Sequence, residues 1–456
     1  MAIMNEEINE WLKSNDSKEY FELLKFPTIG ANHENLRDCV NCAMWLKAWL
    51  SKIGAEVEII TTEFNPPTVF AELKGDEGAS TVLIYGHYDV QPPDPLELWV
   101  TPPFEPTMKE DGRVYCRGAQ DDKGQFFAFL CGIREFLATA KHKPNLKFIL
   151  EGGEESGSLG LSKQLEDKEF RKRLSGDVLL VSDTSAAPGL RPAIIAGLRG
   201  INHWTVKLTA ANRDLHSGEY GGIAPNAAQG MAELMASLHT ADGAIAVAGF
   251  RDGIEPPTHD EIEAAEAGMA DEDFYANDIG TQACGGQTGK SIVQRNCFEP
   301  TIEINGIHSG YGGQGSKTVI PCEAIAKLST RLVPGQNPRR AFEAVKQHLE
   351  NRCPKGMKLE VSELSGLANG FRLPLASPLF RLAEDILGEM DERGAVFNWE
   401  GASIPIVSAL REASGAAPLL VGWGQAEDRI HSPNESYSIK QFKASKDWAK
   451  RILSAL

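Results

Sequence analysis

A chain of 456 residues is too long for one ordinary core, so two domains, or one large domain with an insertion, are expected. Its 42% hydrophobic and 24% charged residues suit a soluble globular protein, and the net charge of -17 disfavours a nucleic-acid surface, which needs clustered Lys and Arg. The acidic start, "MAIMNEEINEWLKSNDSKEY", shows no secretory apolar run, and no segment reaches the roughly 18 apolar residues of a membrane span. Eight scattered cysteines are those expected of reduced thiols in a cytoplasmic protein.

The first predicted element is a helix over about 39–53, where Cys42, Trp45, Leu46, Trp49, Leu50 and Ile53 recur at helical spacing. Cys39 and Cys42 form a C-x-x-C inside it, read as core rather than as a redox or zinc pair because no second pair accompanies them. The runs "EVEIITTEF", "TVFAELKG" and "TVLIYGHYDV" read as strands. A helix follows at 123–140, with Phe126, Phe127, Leu130, Ile133 and Leu137 on one stripe, then the strands "NLKFILEG" and "DVLLVSD". Alternating strands and helices with apolar strands predict an α/β layer around a mostly parallel sheet.

From about 197 the pattern changes. "GLRGINHWTVKLTA" reads as one longer, half-exposed strand, a helix follows at about 224–238, and the acidic stretch 251–275 looks peripheral. "PTIEINGI", "EAIAKLSTRLVP" and "PRRAFEAVKQHLENR" complete a strand-helix-strand-strand-helix order. The expected layout is an α/β domain over 1–196 and 373–456, interrupted by a smaller α+β domain over 197–372. In the second part of the α/β domain, "SPLFRLAEDILGEM", "PIVSAL" and "PLLVGWG" return to the α/β style.

Acidic and His residues recur at the predicted strand ends. They are His87 with Asp89, Asp121-Asp122 in a turn before a helix, Glu154-Glu155, and Asp183. In an open α/β sheet the carboxyl edge of the strands is where ligands bind. Massed carboxylates raise one another's pKa and need a counter-charge. A cationic substrate, a Lys/Arg cluster or a divalent metal could supply it, and only Arg117 and Lys123 lie near in sequence. His with several carboxylates suits Zn²⁺, or Mn²⁺ and Co²⁺, and two metals sharing a carboxylate would use about this many ligands.

The ordered motifs "GHYDVQP", "RGAQDDKG", "EGGEESGS", "VSDT", "DLHSGEYGG", "GQGSKTVIP", "TRLVP" and "HSPNE" resemble the zinc-dependent aminoacylase, carnosinase and glutamate-carboxypeptidase family, and most of all its carnosinase-like dipeptidase branch. The resemblance covers essentially the whole chain. It implies a di-zinc exopeptidase-like α/β catalytic domain with an inserted ferredoxin-like lid or dimerisation domain. It implies two Zn²⁺ per subunit, with His87 and Asp183 on one, Glu155 and His431 on the other, and Asp121 bridging. Asp89 would hold the His87 ring, and Glu154 would be the general base for a water acidified by the metals. His216 would reach a partner subunit's active site in a homodimer and assist the oxyanion. Arg331 would clamp a substrate carboxylate, and Thr318 and Ser403 would lie against the substrate.

The implied activity is hydrolysis of dipeptides or of the C-terminal residue of small peptides, with no nucleic-acid or membrane partner. An N-acyl amino-acid deacylase would use the same site. A catalytically inactive metal-binding or assembly protein is the non-enzyme alternative.

Overall fold

The computed structural model describes residues 2–63 and 66–456. Most apolar runs become strands where expected, Thr68–Leu73, Thr81–His87, Asn145–Glu151 and Val178–Val181, and "PLLVGWG" adds the strand Ala417–Leu420. The run that begins at Glu56 is shorter, Glu56–Ile60, and its last residue, Phe64, lies outside the described residues. These strands join a nine-stranded sheet in the order 56–60, 68–73, 145–151, 81–87, 178–181, 417–420, 193–198, 371–372, with 396–400 also pairing on 193–198. The middle is parallel, from 145–151 across 81–87 and 178–181 to 417–420. Both margins include antiparallel pairs.

Successive side chains of a strand point to opposite faces, and the 81–87 strand shows the result. Val82 and Ile84 enter the core beneath the helices Leu36–Lys52, Lys123–Thr139 and Ile439–Ala455. Leu83 and Tyr85 enter the opposite core, with Leu161, Phe170, Val407 and Leu410. Burial on both faces is why the strand reads as a continuous apolar run. The helices Lys123–Thr139 and Ile439–Ala455 cross closely at Gly132, where a Cβ would stand 2.3 Å from the Lys446 carbonyl oxygen. Cys39 and Cys42 are fully buried in the Leu36–Lys52 helix, and burial pushes both thiols up to about 12. They are core residues. The run "PIVSAL" opens a helix, Pro405–Ser414.

A second sheet of four antiparallel strands is ordered 301–309, 323–332, 200–209, 358–368. With the helices Ala227–Ala236 and Pro338–Asn351 it follows a β-α-β-β-α-β path, its strands lying fourth, first, third, second across the sheet when read from the 358–368 edge. This is the ferredoxin-like arrangement. Trp204, Val206 and Leu208 face its core, while His203, Thr205 and Lys207 face out, as their alternation requires.

Two expectations change. The long strand from 197 is two strands, Ala193–Leu198 in the large sheet and Gly200–Thr209 in the small one. The break falls at Arg199, whose N–H bonds to the Ala402 carbonyl while its guanidinium bonds to the Gly401 and Glu299 carbonyls. The acidic stretch is not peripheral. Its helix His259–Gly268 lies on the 396–400 strand, with Ala265 in the large core and Glu261 paired to Arg372 at 3.0 Å.

Candidate metal centre

The three parallel strands at the middle of the large sheet end on one rim. The 81–87 strand ends on His87, the 145–151 strand runs into the turn Glu154–Ser156, and the 178–181 strand runs on to Asp183. Asp121 and Asp122 arrive in the turn before the Lys123–Thr139 helix. Gly86 lets this turn and the helix after it approach the strand, since a Cβ there would stand 2.6 Å from Phe126 Cβ and 3.1 Å from Asp122 Oδ2. His431 comes from a loop in which Arg429, His431 and Asn434 all adopt the left-handed backbone conformation. That conformation is costly for residues other than glycine and must be held by its surroundings. Asn434 holds it, accepting the Val100 N–H at 2.7 Å and donating to the Leu98 carbonyl at 2.9 Å.

Asp121 stands between the two imidazoles. Its Oδ1 is 3.1 Å from His87 Nε2 and its Oδ2 is 2.9 Å from His431 Nε2. Asp183 Oδ2 lies 3.7 Å from His87 Nε2, and Glu155 Oε2 lies 3.4 Å from His431 Nε2. Two sets of donor atoms each fall within 4.8 Å of one another: His87, Asp122 and Asp183, and Asp121, Glu155 and His431. Sequence reasoning gives Asp122 no role of its own. It is fully buried, and its Oδ2 accepts the His87 N–H at 3.2 Å.

Asp89 does more than face the His87 ring, whose Nδ1 lies 3.5 Å from its Oδ1. The two oxygens of Asp89 accept the backbone N–H groups of Glu154 and Glu155, each at 3.1 Å. Asp89 thus holds the turn that carries the acidic pair through its carboxylate, and its backbone carbonyl oxygen lies 3.2 Å from the same His87 Nδ1. Gln91 steadies Glu155 from the side, donating to Oε2 at 2.7 Å. The Glu154 side chain makes no hydrogen bond or ion pair among the described residues.

The packed carboxylates draw positive charge to the site. Burial, then the charges of Asp183, Glu155 and Asp89, hold Glu154 well above the usual carboxylate range against the pull of His87. Burial, with Asp121, Glu155 and Glu400, pushes Asp183 up to about 7. Burial alone would lower His87, but its bonds to Asp121 and Asp89 raise it well above its ordinary value. Bonds to Asp121 and Glu155 raise His431 to about 10. Neither nearby cation neutralises the cluster. Lys123 donates to the Leu23 and Phe26 carbonyls at 3.3 and 2.7 Å, and Arg117 pairs with Glu435 at 2.9 Å. Imidazole and carboxylate donors gathered in this way, with no Lys or Arg side chain paired to them among the described residues, fit divalent metals.

The remaining sequence candidates form two further groups. Arg331 lies opposite Ile201 across the small sheet and has no ion pair among the described residues. Ser403 donates to the Gly200 carbonyl at 3.1 Å, and Gly200 pairs with Leu332, so Ser403 and Arg331 flank the junction of the two sheets. His216 and Thr318 share the ribbon made by 215–216 and 319–320, where the Ser217 N–H bonds to the Thr318 carbonyl at 3.1 Å. Both are exposed, and no hydrogen bond or ion pair links either to the carboxylate cluster among the described residues.

A parallel-centred α/β sheet that gathers His and carboxylate donors at its strand ends, joined to a ferredoxin-like unit, is the architecture of a metal-dependent hydrolase. The chain belongs to the peptidase family M20/M25/M40, whose model matches residues 83–455. It is 33% identical over 375 residues to a human Beta-Ala-His dipeptidase, covering 81% of this chain and 73% of that one. It is 30% identical over 395 residues to the Cys-Gly metallodipeptidase DUG1 of Candida albicans, covering 83% and 79%. Among solved structures, the M20 family metallo-carboxypeptidase Sso-CP2 from Sulfolobus solfataricus superposes with a TM-score of 0.86 at 27% identity, covering 97% of this chain and 99% of that one.

Proposed function

We propose that the protein is a metallo-dipeptidase that hydrolyses the amide bond of dipeptides or releases the C-terminal residue of small peptides. The observation that carries the reading is Asp121, with one oxygen turned to His87 and the other to His431. The names of the human and Candida relatives support the substrate class. His87 and Asp183 would hold one metal, Glu155 and His431 the other, with Asp121 shared. Zn²⁺, or Mn²⁺ or Co²⁺ in its place, would supply Lewis acidity toward the scissile carbonyl and toward a water molecule.

Glu154, unpaired and poised by Asp89 through its backbone, takes the proton from the attacking water and delivers it to the leaving amine. Arg331 holds the substrate carboxylate through its planar fork. Ser403 and Thr318 orient the substrate backbone. His216 stabilises the developing oxyanion from a second subunit. Its exposed place outside the cluster supports that role in trans, and the edge strand Thr301–Ser309 offers a dimer contact with exposed Ile304 and Ile307. Among the described residues no helix is long and apolar enough to cross a membrane. The unpaired cysteines support a reducing compartment, the cytoplasm.

The test is turnover by metal-stripped and metal-restored protein on dipeptides, N-acetyl amino acids and C-terminally amidated dipeptides. Metal-dependent cleavage of dipeptides supports the proposal. Cleavage of N-acetyl amino acids alone reassigns the site to a deacylase. Inertness toward every amide with metal restored reassigns the protein to binding or assembly.

A further inference from the structure

Beside the carboxylate cluster lies a cleft of about 950 Å³, at the upper end of the range for small-molecule sites. Its near side is marked by Ser185, two residues beyond Asp183, and by Ile430 and Ser432, which flank His431. Its far side is built by the stretch whose sequence reads as peripheral. Met269 follows the His259–Gly268 helix, and Phe274 and Tyr275 lie on the helix Glu272–Ile279. None of the roles proposed above uses that wall.

The wall presents apolar surface, with Asp278 on the same helix, and is already held in place. Phe274, Leu98 and Ile430 are 43%, 59% and 45% exposed, large apolar surfaces gathered beside a charged cluster. The rings of Phe274 and Tyr275 meet edge to face with centroids 5.6 Å apart. Asp271 caps their helix, accepting the Phe274 N–H at 2.8 Å. Gly268 seats the preceding helix against the large sheet, where a Cβ would stand 2.7 Å from the Phe397 carbonyl oxygen. Asn434 fixes Leu98 through its backbone, in the same loop that presents His431.

We infer that this wall receives the side chain of the substrate residue on the N-terminal side of the scissile bond and selects a bulky aliphatic or aromatic one. The inference rests on the dipeptidase reading. Arg331 and Ser403 do not line the cleft; they lie at the junction with the small sheet. A dipeptide with its carboxylate on Arg331 and its scissile carbonyl at the cluster places its N-terminal residue in the cleft. Water leaving Phe274, Tyr275, Leu98 and Ile430 on binding favours a large apolar side chain over hydrogen.

The experiment measures kcat/KM of the metal-loaded enzyme on Gly-Gly, Leu-Gly, Phe-Gly and Lys-Gly. Leu-Gly and Phe-Gly are expected to exceed Gly-Gly by at least about tenfold, the discrimination a hydrophobic pocket gives per methylene. Phe274→Ala, at a position 43% exposed, and Tyr275→Ala are expected to raise KM for Phe-Gly several-fold more than for Gly-Gly. A purely structural role would move both substrates alike, and that result overturns the inference. Equal kcat/KM across the panel, or a preference for Gly-Gly or for Lys-Gly drawn by Asp278 and Glu427 in the same cleft, also overturns it while leaving the dipeptidase reading intact. Failure to cleave any dipeptide overturns that reading and this inference with it.

Discussion

Glu435 accepts the backbone N–H of Asp121 at 3.0 Å through Oε1, the same oxygen that takes the Gln120 N–H at 2.9 Å. Its Oε2 takes the Gly118 N–H at 2.8 Å and the Arg117 guanidinium at 2.9 Å. Glu435 follows His431 by four residues. One buried carboxylate therefore ties the loop of the last metal candidate to the turn of the shared one. Every partner in this cage is a donor, so an amide in its place turns its own N–H₂ toward other donors.

Glu435→Gln is accordingly expected to weaken metal binding by about 10- to 100-fold, the usual effect of removing a group that orients ligands. It also leaves Arg117 buried and unpaired, which costs roughly 3–5 kcal/mol of stability. The double variant Glu435→Gln/Arg117→Met removes that orphaned charge. Metal affinity is then read by chelator competition on a folded protein. Wild-type affinity in the double variant would remove Glu435 from the metal site.

Glu154→Gln separates chemistry from metal binding. The Glu154 N–H keeps its bond to Asp89, so the turn that carries Glu155 stays in place. Metal content by mass spectrometry is expected to match wild type, while kcat falls by about 10²- to 10⁴-fold, the range for losing a general base. A variant that keeps its kcat is incompatible with Glu154 as the base.

Much of this site is legible in the sequence because strand ends are local signals. His87, the 154–155 pair and Asp183 each follow an apolar run, and parallel strands put those ends on one rim. His431 is different. It sits in an irregular left-handed loop far along the chain, and only the motif "HSPNE" marks it. Asp122, Arg117 and Glu435 act through long-range hydrogen bonds, which leave no trace in periodicity. The cleft wall is hidden for a related reason. Asp271, Glu272 and Asp273 make the stretch read as a solvated surface, although they open a short helix that carries Phe274 and Tyr275 into the cleft.

His216 gives a test of assembly. If it serves the neighbouring subunit, His216→Ala and Glu154→Gln are each inactive alone and complement one another when mixed. In a hybrid dimer the subunit that retains Glu154 faces a partner that retains His216, so one site is whole. Activity is expected to rise on unfolding and refolding the two variants together, with hybrid dimers shown by differential tagging. Tagged hybrids that stay inactive refute the role in trans.

Glu151 supplies a pH dependence that can be separated from the metal cluster. It is 1% exposed at the end of the Asn145–Glu151 strand, and one oxygen accepts the Tyr85 hydroxyl at 2.9 Å. Burial, then the charge of Asp89, pushes its carboxyl up to about 8. A carboxyl in an unfolded chain titrates near about 4.3. Between those values the folded state holds a proton that the unfolded state has released, so stability falls as pH rises through the window. Below it, the contribution is fully present. A tenfold difference in proton affinity between the two states is worth about 1.4 kcal/mol, which makes the full effect on the order of a few kcal/mol. Glu151→Gln keeps the neutral shape and an acceptor for Tyr85 but cannot ionise. Urea unfolding of both proteins in chelator at pH 5 and pH 8.5 is expected to show a smaller loss of stability in the variant, because the His and Asp183 contributions are common to both. Identical losses would mean that Glu151 is ionised in the fold at neutral pH and that the Tyr85 bond, rather than burial, governs it.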